Sequence, residues 1–223
     1  MSLKLGDEIP NFEADTTEGR IKFHDWIGDS WCILFSHPND FTPVCTTELG
    51  RVVQLLPEFQ KRNVKVIALS CNDVDSHVEW IKDIQSYCGC VGDKFPYPII
   101  ADPKRELAVK MGMLDPVEKD STGMPFTCRA VFVIDSKKKM RLSLLYPATT
   151  GRNFNEILRA IDSLLLTEYK KVATPVDWKN GDDCMIIPTI KNEDIPALFP
   201  KGYKVLELPS KKQYMRITPQ PTD

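Results

Sequence analysis

Apolar residues in this chain fall into two textures. Short unbroken runs at 31–36, 64–70 and 130–134 are bounded by turn formers such as Gly28-Asp29 and Pro38-Asn39-Asp40, and each predicts a strand buried on both faces. Residues 141–146 alternate apolar and polar, predicting a neighbouring strand with one wetter side, and 98–101 adds a short piece. Between the runs the period lengthens to that of a helix. Residues 46–62 place Leu49, Val52, Val53, Leu56 and Phe59 on one stripe, 75–87 place Val78, Ile81 and Ile84 on another, and 105–111 and 153–168 follow the same rule. The order β-α-β-α, then strands, then a helix predicts an α/β fold: a mixed central sheet flanked by helices, with the strand ends that lead into helices along one edge. Active groups collect at such an edge.

After about residue 170 the texture breaks. Pro175, Pro188, Pro196, Pro200, Pro209, Pro219 and Pro221 separate short apolar pieces such as Cys184-Met185-Ile186-Ile187. With 223 residues in all, this predicts a main domain over 1–170 and a small appended module over 171–223, too interrupted for a core of its own and expected to pack on the first domain or on a second subunit.

Charge narrows the possible partners. Lys and Arg total 29 against 31 Asp and Glu, a net charge of -2, so no single-sign field favours nucleic acid or an anionic membrane. No apolar run suits stable membrane insertion or a secretory signal. The seven cysteines are an odd number without the density of a disulfide scaffold, which points to a reducing, cytoplasmic setting. Cys32, Cys71 and Cys128 lie in or beside apolar runs and read as inert packing residues. Cys88-Gly89-Cys90 is too close and too alone for a zinc knuckle, and no metal or prosthetic cofactor is expected.

The chemistry concentrates in residues 36–48, between the first buried run and the first long helix. Thr42 suits an N-cap and Pro43 a first helical position, so Cys45 falls in the first turn, where unpaired N–H groups and the positive helix end favour a thiolate. The Thr42 hydroxyl is either a plain cap or a donor to the sulfur or its substrate.

Pro38-x-x-x-Thr42-x-x-Cys45, within the longer string from Phe41 to Arg51, resembles the active-site motif of the peroxiredoxin family, in its 1-Cys branch. The strings from Gly123 to Arg129, from Tyr146 to Asn153 and from Leu198 to Gly202 extend that resemblance over nearly the whole chain. It implies a thioredoxin-like fold with a C-terminal module, a homodimer, and reduction of hydrogen peroxide and organic or phospholipid hydroperoxides by an external thiol such as glutathione. It also implies residue roles. Cys45 maps to the peroxidatic cysteine, Thr42 and Arg129 to the polar groups at the peroxide, and Pro38 to the residue shielding the sulfur from water. Glu48 maps to a partner of the arginine and His37 to a histidine near the sulfur, although both also suit bland roles, a helix first-turn charge and a turn residue. Threonine at 42 stands where thioredoxins carry the first cysteine of Cys-x-x-Cys, so a dithiol cycle at this spot is excluded. Cys184 lies near where two-cysteine relatives carry a resolving cysteine, and reads as a resolving thiol, a spare thiol or a packing residue.

Two rival functions remain. The 1-Cys branch is also associated with a phospholipase A2 activity using a serine, a histidine and an aspartate. Here Ser30 and His24 are present, but Cys32 replaces the last glycine of the serine string and Lys137 stands in the aspartate column. The third group of such a hydrolase is displaced or absent. A redox-regulated binding or chaperone module shares every feature and differs only in turnover.

Overall fold

In the computed structural model, which describes residues 3–90, 92 and 94–222, the chain opens on a hairpin of β1 (Glu13–Thr16) and β2 (Gly19–Lys22), followed by α1 (Phe23–Ile27) and β3 (Trp31–Ser36). Next come α2 (Pro43–Lys61), β4 (Val64–Ser70), α3 (Val74–Cys88), β5 (Ile99–Ala101) and α4 (Glu106–Met111). A separate hairpin of β6 (Leu114–Lys119) and β7 (Pro125–Thr127) leads to β8 (Arg129–Ile134) and β9 (Met140–Tyr146). The last segment holds α5 (Phe154–Tyr169), β10 (Val172–Ala173), β11 (Cys184–Ile186), α6 (Ile195–Leu198), β12 (Lys204–Val205) and β13 (Arg216–Thr218).

The main sheet has the order β2-β1-β5-β4-β3-β8-β9. β3 runs parallel to β4, with Leu34 beside Ile67, and antiparallel to β8, with Leu34 beside Phe132. Every residue of β3 and β8 is buried, which is why both read as continuous apolar runs rather than alternating ones. Each Leu, Ile or Phe enclosed here contributes about 1.5–3 kcal/mol of burial. The mixed sheet flanked by helices is thus the expected thioredoxin-like fold.

Two expectations about the helix stripes need correction. On α3 the buried stripe is His77, Trp80 and Ile84, while Val78 is 44% exposed. On α2 it is Cys45, Glu48, Leu49, Val52, Leu55 and Phe59, with Val53 and Leu56 only half-buried. In both helices the true stripe runs through polar side chains that an apolar pattern passes over.

The chain divides into two compact units, up to Phe154 and from Asn155 onward, so nearly all of α5 belongs with the second unit rather than falling before a boundary at 170. That unit has a four-stranded antiparallel sheet, β10-β11-β13-β12. It also encloses its own cluster of Val172, Trp178, Cys184, Ile186, Ile195 and Phe199. The expectation of a module without a core is therefore overturned: the prolines punctuate the segment, and the pieces between them converge.

Candidate active site

β3 ends at Ser36, and α2 begins at Pro43 after six intervening residues. The intervening loop is laced to its neighbours: His37 N–H donates to Leu69 O at 3.0 Å, and Thr127 Oγ1 donates to His37 O at 2.6 Å. Phe41 takes a left-handed backbone conformation, φ 53°, which is uncommon for a bulky residue and throws its ring 54% into solvent. Thr42 then occupies the N-cap position of α2 with Pro43 inside the first turn. The first helical bond is Thr46 N–H to Thr42 O at 3.0 Å, leaving the N–H groups before it outside the helical ladder.

Cys45 sits in that first turn with its side chain fully buried. Arg129, the first residue of β8, directs Nη1 to Cys45 Sγ at 3.4 Å and to Glu48 Oε2 at 2.7 Å. Its other nitrogens, Nε and Nη2, are fixed on Ala148 O at 2.9 and 2.6 Å. Glu48 lies three residues after Cys45 and hence on the same helix face. It also accepts from Arg152, through N at 2.7 Å and Nε at 2.9 Å to Oε1, and through Nη2 at 2.6 Å to Oε2. Arg152 Nη1 continues inward to Ser36 O at 2.8 Å and Ala130 O at 2.7 Å, and its guanidinium lies 5.3 Å from the Phe35 ring centre.

Two guanidinium groups therefore share one buried carboxylate, leaving one positive charge uncompensated beside the sulfur. Such a charge stabilises an anion that develops on or next to the sulfur. Burial opposes ionisation of Glu48, but the hydrogen bonds and charge of Arg152, with the charge of Arg129, outweigh it and hold the carboxyl below its usual value.

A second buried cluster lies in the same loop. Asp40 accepts from His37 Nε2 at 2.8 Å, His77 Nδ1 at 2.7 Å and Ser76 Oγ at 2.7 Å. Burial alone would raise the Asp40 pKa, and the two imidazoles hold it well below the ordinary carboxylate range instead. Burial pushes His37 down despite its bond to Asp40, and the ring packs 5.0 Å from Trp80. Its Nδ1 has no hydrogen-bond partner among the described residues. His37, Asp40 and His77 offer ligand atoms within 4.8 Å of one another, and hydrogen bonds already join the Asp40 carboxylate to both imidazoles.

Residues 5–143 match the model of the AhpC/TSA family. The chain belongs to that family, the peroxiredoxins. It is 65% identical to Peroxiredoxin-6 of Gallus gallus and 64% identical to that of Homo sapiens, each over 220 residues covering 98% of both chains. Its structure resembles that of the C45S mutant of Peroxiredoxin 6 of Arenicola marina, with a TM-score of 0.97 and 61% identity over 100% of both chains. It also resembles a yeast mitochondrial 1-Cys peroxiredoxin, described with a thiol resolving mechanism via glutathione/thioredoxin systems, at a TM-score of 0.87 and 46% identity over 97% of this chain and 99% of that one. The chain is a thiol-dependent peroxidase, and peroxiredoxins carry no prosthetic cofactor.

Of the residues singled out by sequence, this peroxiredoxin brings Cys45, Arg129 and Glu48 into direct contact. Pro38 is buried in the same loop. Thr42 departs from expectation: its hydroxyl makes no cap bond and donates to Asn39 O at 2.9 Å, holding the loop rather than the sulfur. The candidate hydrolase residues find other partners, Ser30 Oγ donating to Asn63 Oδ1 at 3.0 Å and His24 Nε2 lying 2.7 Å from Ile9 O. Asp135, the aspartate adjoining that column, is spent on its own turn and on Arg141. Among the other thiols, burial raises Cys71 to about 11 and lifts Cys32 and Cys128 as well, which fits inert packing roles. Sequence reasoning missed Arg152, Asp40 and His77 as parts of the site. Arg152 lies in the string from Tyr146 to Asn153 and Asp40 within residues 36–48, but the role of each, like that of His77, is set by partners distant in the chain.

Proposed function

We propose that Cys45 is the residue that reduces hydrogen peroxide and organic or phospholipid hydroperoxides. Its Sγ attacks the distal oxygen, the O–O bond breaks, and the alcohol or water leaves with a proton, giving a Cys45 sulfenic acid. An external small thiol of the glutathione class then displaces water to form a mixed disulfide, and a second thiol releases Cys45. The observation that carries this reading is Arg129 Nη1 at 3.4 Å from Sγ, held there by a buried carboxylate and a backbone carbonyl. A donor fixed before the reaction needs no reorganisation when charge reaches the peroxide oxygens. We assign the chain to the cytoplasm, in keeping with cysteines scattered without the density of a disulfide scaffold, and read it as a homodimer from its likeness to the family. No helix among the described residues is long and apolar enough to cross a membrane.

The test is Cys45→Ser, expected to keep the wild-type circular dichroism spectrum and to lose thiol-dependent hydroperoxide consumption. Wild-type turnover in that variant, with loss in Cys71→Ser or Cys32→Ser, overturns the assignment.

A further inference from the structure

α3 ends at Cys88, and Gly89 follows in the left-handed conformation, φ 65°, that closes a helix. Gly89 N–H returns to Ser86 O at 3.3 Å and Cys90 N–H to Gln85 O at 3.1 Å, folding the chain back over its last turn. That reversal brings the two cysteine side chains to one side. Their Cα atoms are 5.3 Å apart, inside the usual disulfide range, and the structure joins them by a disulfide. By sequence the pair is weighed only as a zinc knuckle and set aside.

Stability does not explain this bond. Closing a loop across a single residue restricts the unfolded chain far less than closing a long one, and the helix end is already capped by backbone bonds and glycine. Accessibility points elsewhere: Cys88 and Cys90 are partly exposed, a property shared only with the unpaired Cys71 among the other cysteines, whereas Cys32, Cys45 and Cys184 are fully buried. The pair also adjoins the catalytic helix, since a Cβ on Gly50 of α2 would lie 3.3 Å from Cys88 Cβ.

We propose that Cys88 and Cys90 form a second redox centre, a surface dithiol–disulfide couple that exchanges with small thiols and small disulfides of the glutathione class. In opening, a thiolate RS⁻ attacks one sulfur, forming RS–S–Cys and expelling the other cysteine as thiolate. A second RS⁻ releases RSSR, so two RSH are oxidised as one protein disulfide is reduced. Closure is the reverse, with RSSR as oxidant. The inference rests on the external-thiol reading above, because a peroxidase turning over with a monothiol makes RSSR and thereby supplies that oxidant.

The experiment uses full-length Cys45→Ser protein, so that failure of the peroxidase reading leaves it intact. The protein is equilibrated in buffers ranging from reduced glutathione alone to mostly glutathione disulfide, quenched with a maleimide and read by intact mass and peptide mapping. The expected result is a gain of two labels, appearing together on the peptide carrying residues 88 and 90 as reduced glutathione increases. With Cys90→Ser added, Cys88 has no neighbour to expel an incoming thiol, and it is expected to retain one glutathione in the oxidised buffers. In the Cys45-containing chain, Cys90→Ser is expected to keep peroxidase turnover within about twofold of wild type. A pair unlabelled in every buffer, labelled in every buffer, or labelled one cysteine independently of the other overturns the proposal.

Discussion

Replacing Glu48 with glutamine tests whether the buried charge network holds the site together. The carboxylate accepts four hydrogen bonds, one from Arg129 and three from Arg152, at 2.6–2.9 Å. A glutamine oxygen accommodates at most two of them and turns an amide N–H toward two guanidinium groups that are themselves buried. Breaking a buried ion pair by removing one partner costs about 3–5 kcal/mol. At about 2–4 °C per kcal/mol for a chain of this size, the thermal midpoint should fall by roughly 6–20 °C at pH 7. The pH dependence carries a sign. The Glu48 pKa is depressed in the folded state, so its stabilisation is complete above the usual value of 4.5 and is lost as the pH falls through the folded value. Glutamine does not titrate there, so the gap between wild type and variant should narrow as the pH falls below 4.5 and through the depressed folded value. Circular dichroism melts of both proteins across pH 3–8, with peroxidase rates at pH 7, measure it. A midpoint within about 1 °C of wild type at pH 7, or a gap that stays constant in acid, would refute the reasoning.

Arg129→Ala should keep the fold and slow peroxide reduction by about 10²-fold or more, the usual loss for a preorganised oxyanion donor, with Arg129→Lys restoring it only in part because it lacks the planar fork. Stopped-flow reduction of hydrogen peroxide checks this, and full activity in the lysine variant would count against the two-pronged role. Cys184 belongs to the enclosed cluster of the second unit, where burial raises its thiol pKa. Cys184→Ser should therefore retain thiol-dependent turnover, and peroxide-treated wild type should run as monomer on a non-reducing gel. A peroxide-induced Cys45–Cys184 dimer would place this chain in a two-cysteine cycle.

What the sequence made legible was local. The helix start at Pro43 and the exposure of Cys45 to unpaired N–H groups follow from adjacent residues, and the buried strands from unbroken apolar runs. What it hid was set by distance along the chain. Arg152 earns its place through Ser36 O, 116 residues away, and Ala130 O, 22 residues away, and neither carbonyl leaves a mark on composition. His77 was passed over because a polar residue breaks an apolar stripe, although its ring fills the core position between α3 and the carboxylate of Asp40. The β6–β7 hairpin escaped notice because Pro116 and its charged neighbours imitate a loop. The enclosed cluster of the second unit escaped because prolines divide the pieces that meet in it.

The complete burial of the Cys45 sulfur divides the catalytic cycle by size. A hydroperoxide brings a two-oxygen head to the sulfur, but a resolving thiol must bring its own sulfur to about 2.05 Å along the axis of the breaking bond, with its carbon frame behind it. Cys45 lies in the first turn of α2, where the fewest backbone bonds must part for a residue to swing outward. Both half-reactions therefore depend on loosening at this helix start, and the bulkier thiol demands the larger excursion, so solvent viscosity and helix-start substitutions should act more strongly on the second half-reaction than on the first.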